Sequence, residues 1–296
     1  MKGQMSLLQR KMNMDSHSPD DVPFYGVLKR TTVDNTIDKV VEEIVNLGFS
    51  VIHSGLSDDE IQSLSSKFDF LHAQYLKIYG SKYLESIDEH NNIRLPLVFD
   101  RAFIELATNT NVLSVVERLI VGKFMLNQQN GIVNPAGEKY SQGAWHRDLP
   151  YQHFVSSHPI ALTALYCVDD FTKDNGATHV LPASHKQESF PSDEYTLKHF
   201  AQITARAGSF IMMDSMTFHR GGVNNARAKR RAINHIYTIP HIKQLIDIRA
   251  LLGEEGMEAR VQELLGYRYG SPRSIDDFLR TRNNRRDISK IPQKKA

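Results

Sequence analysis

Apolar residues follow a helical period in the first part of the chain, alternate between residues 120 and 240, and then return to a helical period. A helix is predicted to begin at Thr36 and to end at Gly48. A second begins after Ser57, which with Glu60 three positions later is typical of a capping box. The mixed stretch 81–100 predicts a loop, and the helical pattern after Pro240 predicts a helical flank.

The alternating region predicts short strands separated by turns rich in glycine and asparagine. The predicted strands are 124–130, 160–168, 178–181, 209–214 and 230–239. Many short strands between helical flanks favour a mainly β fold with a jelly-roll core. The predicted organisation is a flexible leader over 1–22, a single domain over 23–270 with its β core at about 120–240, and a basic, partly disordered tail over 271–296.

Composition narrows the classes of partner and compartment. Charged residues make up 24% of the 296 residues and balance to a net charge of +2, which does not predict a nucleic-acid partner. Cys167 is the one cysteine, so no internal disulfide can form, and this suits a reducing cytoplasm. No apolar run approaches the length of a membrane span, so no membrane partner is expected. The oligomeric state stays open.

Candidate chemistry centres on a short segment around His146 and Asp148. In an extended strand these two side chains point to the same face, and His219, 73 positions further on, would come from another strand. Two imidazoles and one carboxylate form the facial triad of non-haem Fe(II) oxygenases, which leaves coordination positions open. Arg230, eleven positions after His219, offers a planar guanidinium that can bind a dicarboxylate bidentately.

These residues resemble the phytanoyl-CoA dioxygenase family. The shared pattern is H-x-D, then a distal His in H-x-G-x-x-N, then Arg230 after five further residues. Asp174-Asn175-Gly176 and the segment 181–185 also resemble the family, with Ala183 where glycine is usual. The resemblance covers about 120–240 and, more weakly, the chain from about 35. Gly221 departs from the family, whose members often carry a hydroxyl at that position.

The resemblance implies a double-stranded β-helix (a cupin-like jelly roll) and an enzyme that binds Fe(II). It implies 2-oxoglutarate as cosubstrate, which is converted with O₂ to succinate and CO₂ while a small molecule is hydroxylated. His146, Asp148 and His219 would then be the metal ligands, and Arg230 would hold 2-oxoglutarate. Asp148 stands where related halogenases carry Gly or Ala, which favours hydroxylation over halogenation. Substrate identity, and desaturation or ring formation as variant outcomes, stay open.

Two further residues are predicted to contact the cosubstrate. Thr163 lies on a strand that faces 2-oxoglutarate in related enzymes, although an ordinary strand residue is an equal reading. Gln129 belongs to an amide cluster over 127–130, two members of which must face the pocket. Sequence alternation does not say which two, and the prediction takes Gln129.

Competing interpretations remain for the histidines and for the function. His179, His185, His199 and His235 also lie downstream of the first ligand pair. His185 fits a turn, and His235 should face away from the pocket because its parity is opposite to that of Arg230. A His₂Asp metal hydrolase and a non-enzymatic cupin-like binding protein are the alternative functions.

Overall fold

The computed structural model describes residues 24–138, 141–253 and 256–288. Of these, residues 24–33 belong to one unit and the described residues from 34 onward to a second. In the first, residues 24–33 contain no helix or strand, and the Arg30 guanidinium lies 4.6 Å from the centroid of the Phe24 ring. The predicted leader over 1–22 lies outside the described residues. Everything below concerns the second unit.

Helices flank the β core on both sides in sequence. The first, α1, is capped by Asn35 and ends at Gly48, and the second, α2, begins with the Ser57–Glu60 capping box, so both predictions are confirmed. The helices are α1 Thr36–Leu47, α2 Asp58–Tyr79, α3 Ser81–Ser86, α4 Ala102–Ala107, α5 Thr110–Leu119, α6 Asp193–His199, α7 Ile248–Leu252, α8 Ala259–Leu264 and α9 Ile275–Ile288.

The strands form two antiparallel sheets. The larger has six strands in the order β1-β7-β4-β9-β3-β2, and the smaller has three in the order β6-β5-β8. The strands are β1 Phe49–His53, β2 Asn92–Arg94, β3 Met125–Asn134, β4 Ala161–Cys167, β5 His179–Val180, β6 Ala201–Gln202, β7 Ser209–Asp214, β8 His219–Arg220 and β9 Arg230–Thr238. The edge strands β1 and β2 precede residue 120, so the sheet extends beyond the predicted core limits.

Each face of the large sheet has its own core. Alternate residues such as Tyr166, Phe210 and Ile233 pack with the helices, whereas Leu165 and Ile211 point the other way and pack with Val180 and Ile203 of the small-sheet layer. Because strand side chains alternate, every central strand supplies both cores. Two facing antiparallel sheets with helices on one outer side form the predicted jelly roll.

The stretch 81–100 is not the predicted loop. It contains α3, β2 and a 3₁₀ turn over Pro96–Val98. The apolar residues Leu84, Ile93, Leu95 and Leu97 are buried, which gives these short elements a reason to form. Pro96 occupies the first position of the 3₁₀ turn, where proline is tolerated because its missing N–H would have no partner.

The C-terminal flank also differs from its prediction. The helical pattern after Pro240 becomes turns over 241–247, and helix begins only at Ile248 after Asp247 caps it. Part of the tail predicted to be partly disordered forms α9, in which Ser274 accepts a hydrogen bond from the Asp277 N–H and two aspartates lie in the first turn. Among the described residues, no helix is long and apolar enough to cross a membrane.

Candidate metal centre and cosubstrate cavity

Backbone pairing brings the two parts of the ligand set together. The N–H of His146 donates to the carbonyl of His219 and the N–H of His219 donates to the carbonyl of His146, both at 3.0 Å. The Asp148 N–H donates to the Ser215 carbonyl at 3.1 Å. The segment carrying the first two ligands therefore pairs, as an added strand, with the segment that carries the third.

The carbonyl of Gly48 holds the turn that precedes His219. Its carbonyl accepts hydrogen bonds from the Asp214 N–H at 2.9 Å and from the Thr217 hydroxyl at 3.0 Å. Its φ of +88° is unfavourable for other residues, and an added Cβ would lie 2.5 Å from the Thr217 hydroxyl oxygen. The residue that ends α1 thus also positions the turn before His219.

The three predicted ligands converge. Asp148 Oδ1 lies 3.9 Å from His146 Nε2 and 3.7 Å from His219 Nε2, and one ligand atom from each residue lies within 4.8 Å of the others. Both Nδ1 atoms face carbonyl oxygens, that of Ala144 at 2.8 Å and that of Thr217 at 3.0 Å. Since a carbonyl only accepts, each Nδ1 carries the proton and each Nε2 presents a lone pair. This donor set fits a divalent transition metal.

Burial favours the neutral form of the third ligand. The His219 side chain is only 9% exposed, and burial lowers the pKa of its imidazole, although Asp148 opposes this shift. A neutral imidazole is the form that binds metal.

Thr163 contacts the metal-ligand carboxylate. Its hydroxyl donates to Asp148 Oδ2 and lies 2.9 Å from the Ser215 hydroxyl, which is therefore the donor in that second bond. The chain Ser215 to Thr163 to Asp148 occupies Oδ2 and leaves Oδ1 facing the two imidazoles. Thr163 lines the cavity that contains Arg230 and the three ligands, and its contact with the cosubstrate stays a prediction.

Arg230 lies in the same small cavity as the three ligands, as strand parity predicts. It is 2% exposed, donates to the Gly176 carbonyl at 3.0 Å, and lies 4.1 Å from the centroid of the Phe171 ring. The neighbouring Arg231 points to the other face, where it binds Asp169 and Asp69. The register that separates the two arginines is therefore the predicted one.

Gln129 is a wrong prediction. It pairs across the strands with His235, on the helix side of the sheet, where its Oε1 accepts from the Leu97 N–H and its Nε2 donates to the Phe103 carbonyl, both at 2.8 Å. A β-bulge between Leu126 and Gln128 shifts the register, and Asn127, Gln128 and Asn130 reach the pocket side.

His235 faces away from the pocket, in agreement with its parity. Its Nδ1 donates to the Ala164 carbonyl at 3.0 Å, and its Nε2 accepts from the Gln129 amide at 2.9 Å. Complete burial lowers the pKa of this imidazole to about 4. His235 is therefore neutral and has a structural role in the core.

The ligand cavity opens into a cleft of about 540 Å³. Ile132, Gln142, His146, Asp148 and Asn234 line both spaces, so the cleft leads directly to the ligands. Arg147 and Asn234 line this space but are not among the residues that the sequence predicts for the site. A second cavity of about 590 Å³ lies elsewhere, between α5 and α8, and contains none of the ligand residues.

Comparison with known proteins agrees with this geometry. The family model Phytanoyl-CoA dioxygenase (PhyH) matches residues 46–232. An uncharacterized protein of Mycobacterium tuberculosis is 27% identical over 260 residues, which cover 85% of this chain and 94% of that protein. The iron/alpha-ketoglutarate-dependent dioxygenase ausO of Aspergillus calidoustus is 29% identical over 150 residues, which cover 48% of this chain and 50% of the relative.

Solved structures show the same fold. EctD from S. alaskensis with 2-oxoglutarate and 5-hydroxyectoine has a TM-score of 0.58 at 17% identity and covers 77% of this chain and 80% of its own. The epimerase SnoN in complex with Fe3+, alpha ketoglutarate and nogalamycin RO has a TM-score of 0.53 at 16% identity and covers 75% of this chain and 91% of its own.

Fold and donor set together define an iron- and 2-oxoglutarate-dependent dioxygenase. The chain belongs to the phytanoyl-CoA dioxygenase family, because the family model covers well over half of its length.

Proposed function

We propose that this dioxygenase hydroxylates a small molecule, with His146, Asp148 and His219 as the iron ligands and Arg230 as the anchor of 2-oxoglutarate. What supports the proposal is that one cavity contains all four side chains. A hydrolase with a His₂Asp metal site has no need of a buried guanidinium beside its ligands. Iron(II) bound there, with 2-oxoglutarate and O₂, supplies the oxidation that yields succinate, CO₂ and a hydroxylated product.

The protein contributes position and charge. The carbonyls of Ala144 and Thr217 hold the two imidazoles with Nε2 facing inward, and Thr163 holds the Asp148 carboxylate. Arg230 stays charged at any physiological pH and is nearly fully buried, so a carboxylate that reaches it forms a strong charge-assisted pair. Gly221, also at this cavity, offers no hydroxyl, so Arg230 carries most of this recognition.

Hydroxylation, rather than halogenation, is the outcome proposed. A halide would need the coordination position that the Asp148 carboxylate takes, and the hydrogen bond from Thr163 keeps that carboxylate in place. A cytoplasmic location is also proposed, because Cys167 is a free and fully buried thiol. A fluorescent fusion found in the cell envelope would contradict the location.

Anaerobic titration with Fe(II) and then 2-oxoglutarate tests the assignment. The unaltered protein should bind both, and admission of O₂ should yield succinate. Asp148→Ala should lose Fe(II) binding, whereas Arg230→Ala should keep it and lose 2-oxoglutarate. A protein that binds Fe(II) but never forms succinate would contradict the proposal and favour the cupin-like binding protein.

A further inference from the structure

The cleft outside the ligand cavity is lined by an uneven sheet face. Arg94 pairs with Asn130 across β2 and β3, and Asn130 pairs with Asn234 across β3 and β9. The next residue in this row is Leu165 on β4. Because paired residues point to the same face, this row is polar from Arg94 to Asn234 and becomes apolar at Leu165, while Ile132 beside it also lines the cleft.

Asn234 marks the junction between the cleft and the ligand cavity. It is 9% exposed, and its Oδ1 is buried with no hydrogen-bond partner among the described residues. Buried amide oxygens nearly always have a donor, because leaving one unpaired costs about 1–3 kcal/mol. A substrate hydroxyl or N–H placed beside the metal ligands would supply that donor.

Other amides extend this polar wall away from the metal ligands. Gln128 and Asn130 line the cleft, joined to one another by a hydrogen bond of 3.3 Å, and Gln142 faces them from the opposite segment. Asn127 donates to the Lys243 carbonyl at 2.9 Å and so fixes the segment after β9 that closes one side. The wall has side-chain donors and acceptors in number, which suits a substrate with several polar groups.

The cleft has more basic than acidic side chains. Among the described residues that line it, Asp148 is the one acidic side chain, whereas Arg94, Arg147 and Lys243 are basic. Glu89 binds Arg94 bidentately, and Arg147 donates to main-chain carbonyls, so both guanidinium groups already have partners within the protein. Lys243 is exposed at the rim and is placed to meet an anionic group.

We infer that the substrate is a polar small molecule with several hydroxyl or amide groups and one carboxylate or phosphate. Asn234 contacts the polar group nearest the reacting carbon, the amides of β3 bind the body, and Lys243 pairs with the anion. An unfunctionalised acyl chain would leave these amides desolvated without partners. This inference rests on the proposed function, since it places the substrate beside the metal ligands.

Direct binding measurements on the full chain test the class. The probes are D-glucuronate, D-glucose 6-phosphate, D-glucose, D-galacturonate, L-gulonate, octanoate and decanol, each titrated by anaerobic calorimetry into the protein loaded with Fe(II) and 2-oxoglutarate. The hydroxylated acids or the sugar phosphate should bind more tightly than neutral glucose, and octanoate and decanol should not bind. Preference for the acids or for the phosphate identifies which anion the site takes. Tighter binding of octanoate or decanol, or no binding by any hydroxylated anion, would overturn the inference.

Variants locate the binding. Lys243→Ala should weaken the charged probe roughly fivefold and leave glucose unchanged, and Asn234→Ala should weaken every hydroxylated probe about tenfold. Asn234→Ser, which keeps a small polar side chain, should recover part of the loss. Lys173→Ala, at an exposed lysine outside the cleft, is the control. Equal effects from Lys173→Ala and Lys243→Ala would refute the role of Lys243. Normal 2-oxoglutarate titration with no probe binding would reject this inference alone, and failed 2-oxoglutarate binding would reject the proposed function.

Discussion

Arg147, the residue between the first two metal ligands, should control metal affinity without touching the metal. Its side chain points away from the cavity centre, is 4% exposed, and lies 3.8 Å from the centroid of the Phe218 ring. All of its N–H groups donate to main-chain carbonyls, namely those of Met216, Gln152, Glu188, Ser184 and Gln187. One guanidinium therefore ties together the segments that precede His219, follow Asp148 and form the 184–188 turn.

The size of the effect follows from these contacts. The bonds to Met216 and Ser184 are buried, and a hydrogen bond from a charged group contributes about 1.5–3 kcal/mol. Arg147→Ala should thus lower the free energy of unfolding by about 3–6 kcal/mol, a large part of the stability of an ordinary domain. Arg147→Lys keeps the charge but not the planar fork, so it should fold with a smaller loss. Its misplaced ligands should bind Fe(II) roughly 10- to 100-fold more weakly, as for other residues behind metal ligands.

Two measurements on Arg147→Lys separate stability from positioning. Urea unfolding gives the free energy of unfolding, and anaerobic calorimetry gives the Fe(II) dissociation constant. Arg227→Lys, an exposed arginine in the loop before β9, is the matched control and should change neither. If Arg147→Lys binds Fe(II) as tightly as the unaltered protein, the guanidinium does not position the ligands and the reasoning fails.

Four further changes have defined outcomes. Arg230→Ala should weaken the binding of 2-oxoglutarate by about 3–5 kcal/mol while Fe(II) binding is retained. Arg231→Ala should instead lower the free energy of unfolding. If titration and unfolding give the reverse result, the strand register is off by one. Thr163→Val should weaken Fe(II) about tenfold or more by calorimetry, and unchanged affinity would remove Thr163 from the site. Mass spectrometry of products formed in chloride should find no chlorination. Burial raises the pKa of Asp214 to about 6, although the Met216 N–H, Lys186 and Arg147 oppose this shift. Ionisation of Asp214 should therefore reduce the free energy of unfolding as pH rises from about 4 to 6. Asp214→Asn should abolish that loss in urea unfolding, and an unchanged pH profile would contradict the prediction.

Sequence patterns predicted the residues that converge at the candidate metal site, because their chemistry and their spacing are both visible in the chain. His146, Asp148, His219 and Arg230 needed only the alternation of a strand and the order of the motifs. The contacts of Arg147 could not be predicted from sequence, because its acceptors are main-chain carbonyls from three segments and carbonyls have no sequence signature. Its burial followed from the same alternation that aims its two neighbours inward, but its partners did not.

The wrong prediction for Gln129 has a different origin. Alternation within β3 leaves two possible faces, and only the pairing of Gln129 with His235 decides between them. The sequence already indicated that His235 faces away from the pocket, but strand register is a long-range property that no local pattern carries. The bulge after Leu126 then moves Gln128 to the pocket side. The predicted core limits did not include the edge strands β1 and β2 for the same reason: the strands with which they pair lie far along the chain.

Strand β9 is where fold and function depend on one another most directly. Arg230, Ala232 and Asn234 share its inner face, and strands rise about 3.3 Å per residue, so the proposed 2-oxoglutarate anchor and the proposed substrate-binding amide lie about 13 Å apart along the strand. Ala232 between them is fully buried in the core on that face of the sheet. Residues of the other parity, among them Arg231 and His235, point to the helix side of the sheet. A one-residue insertion inside β9 would exchange these two sets. The loop before it, by contrast, can change length without changing which arginine enters the cavity, provided that Arg230 still begins the strand opposite Asn134.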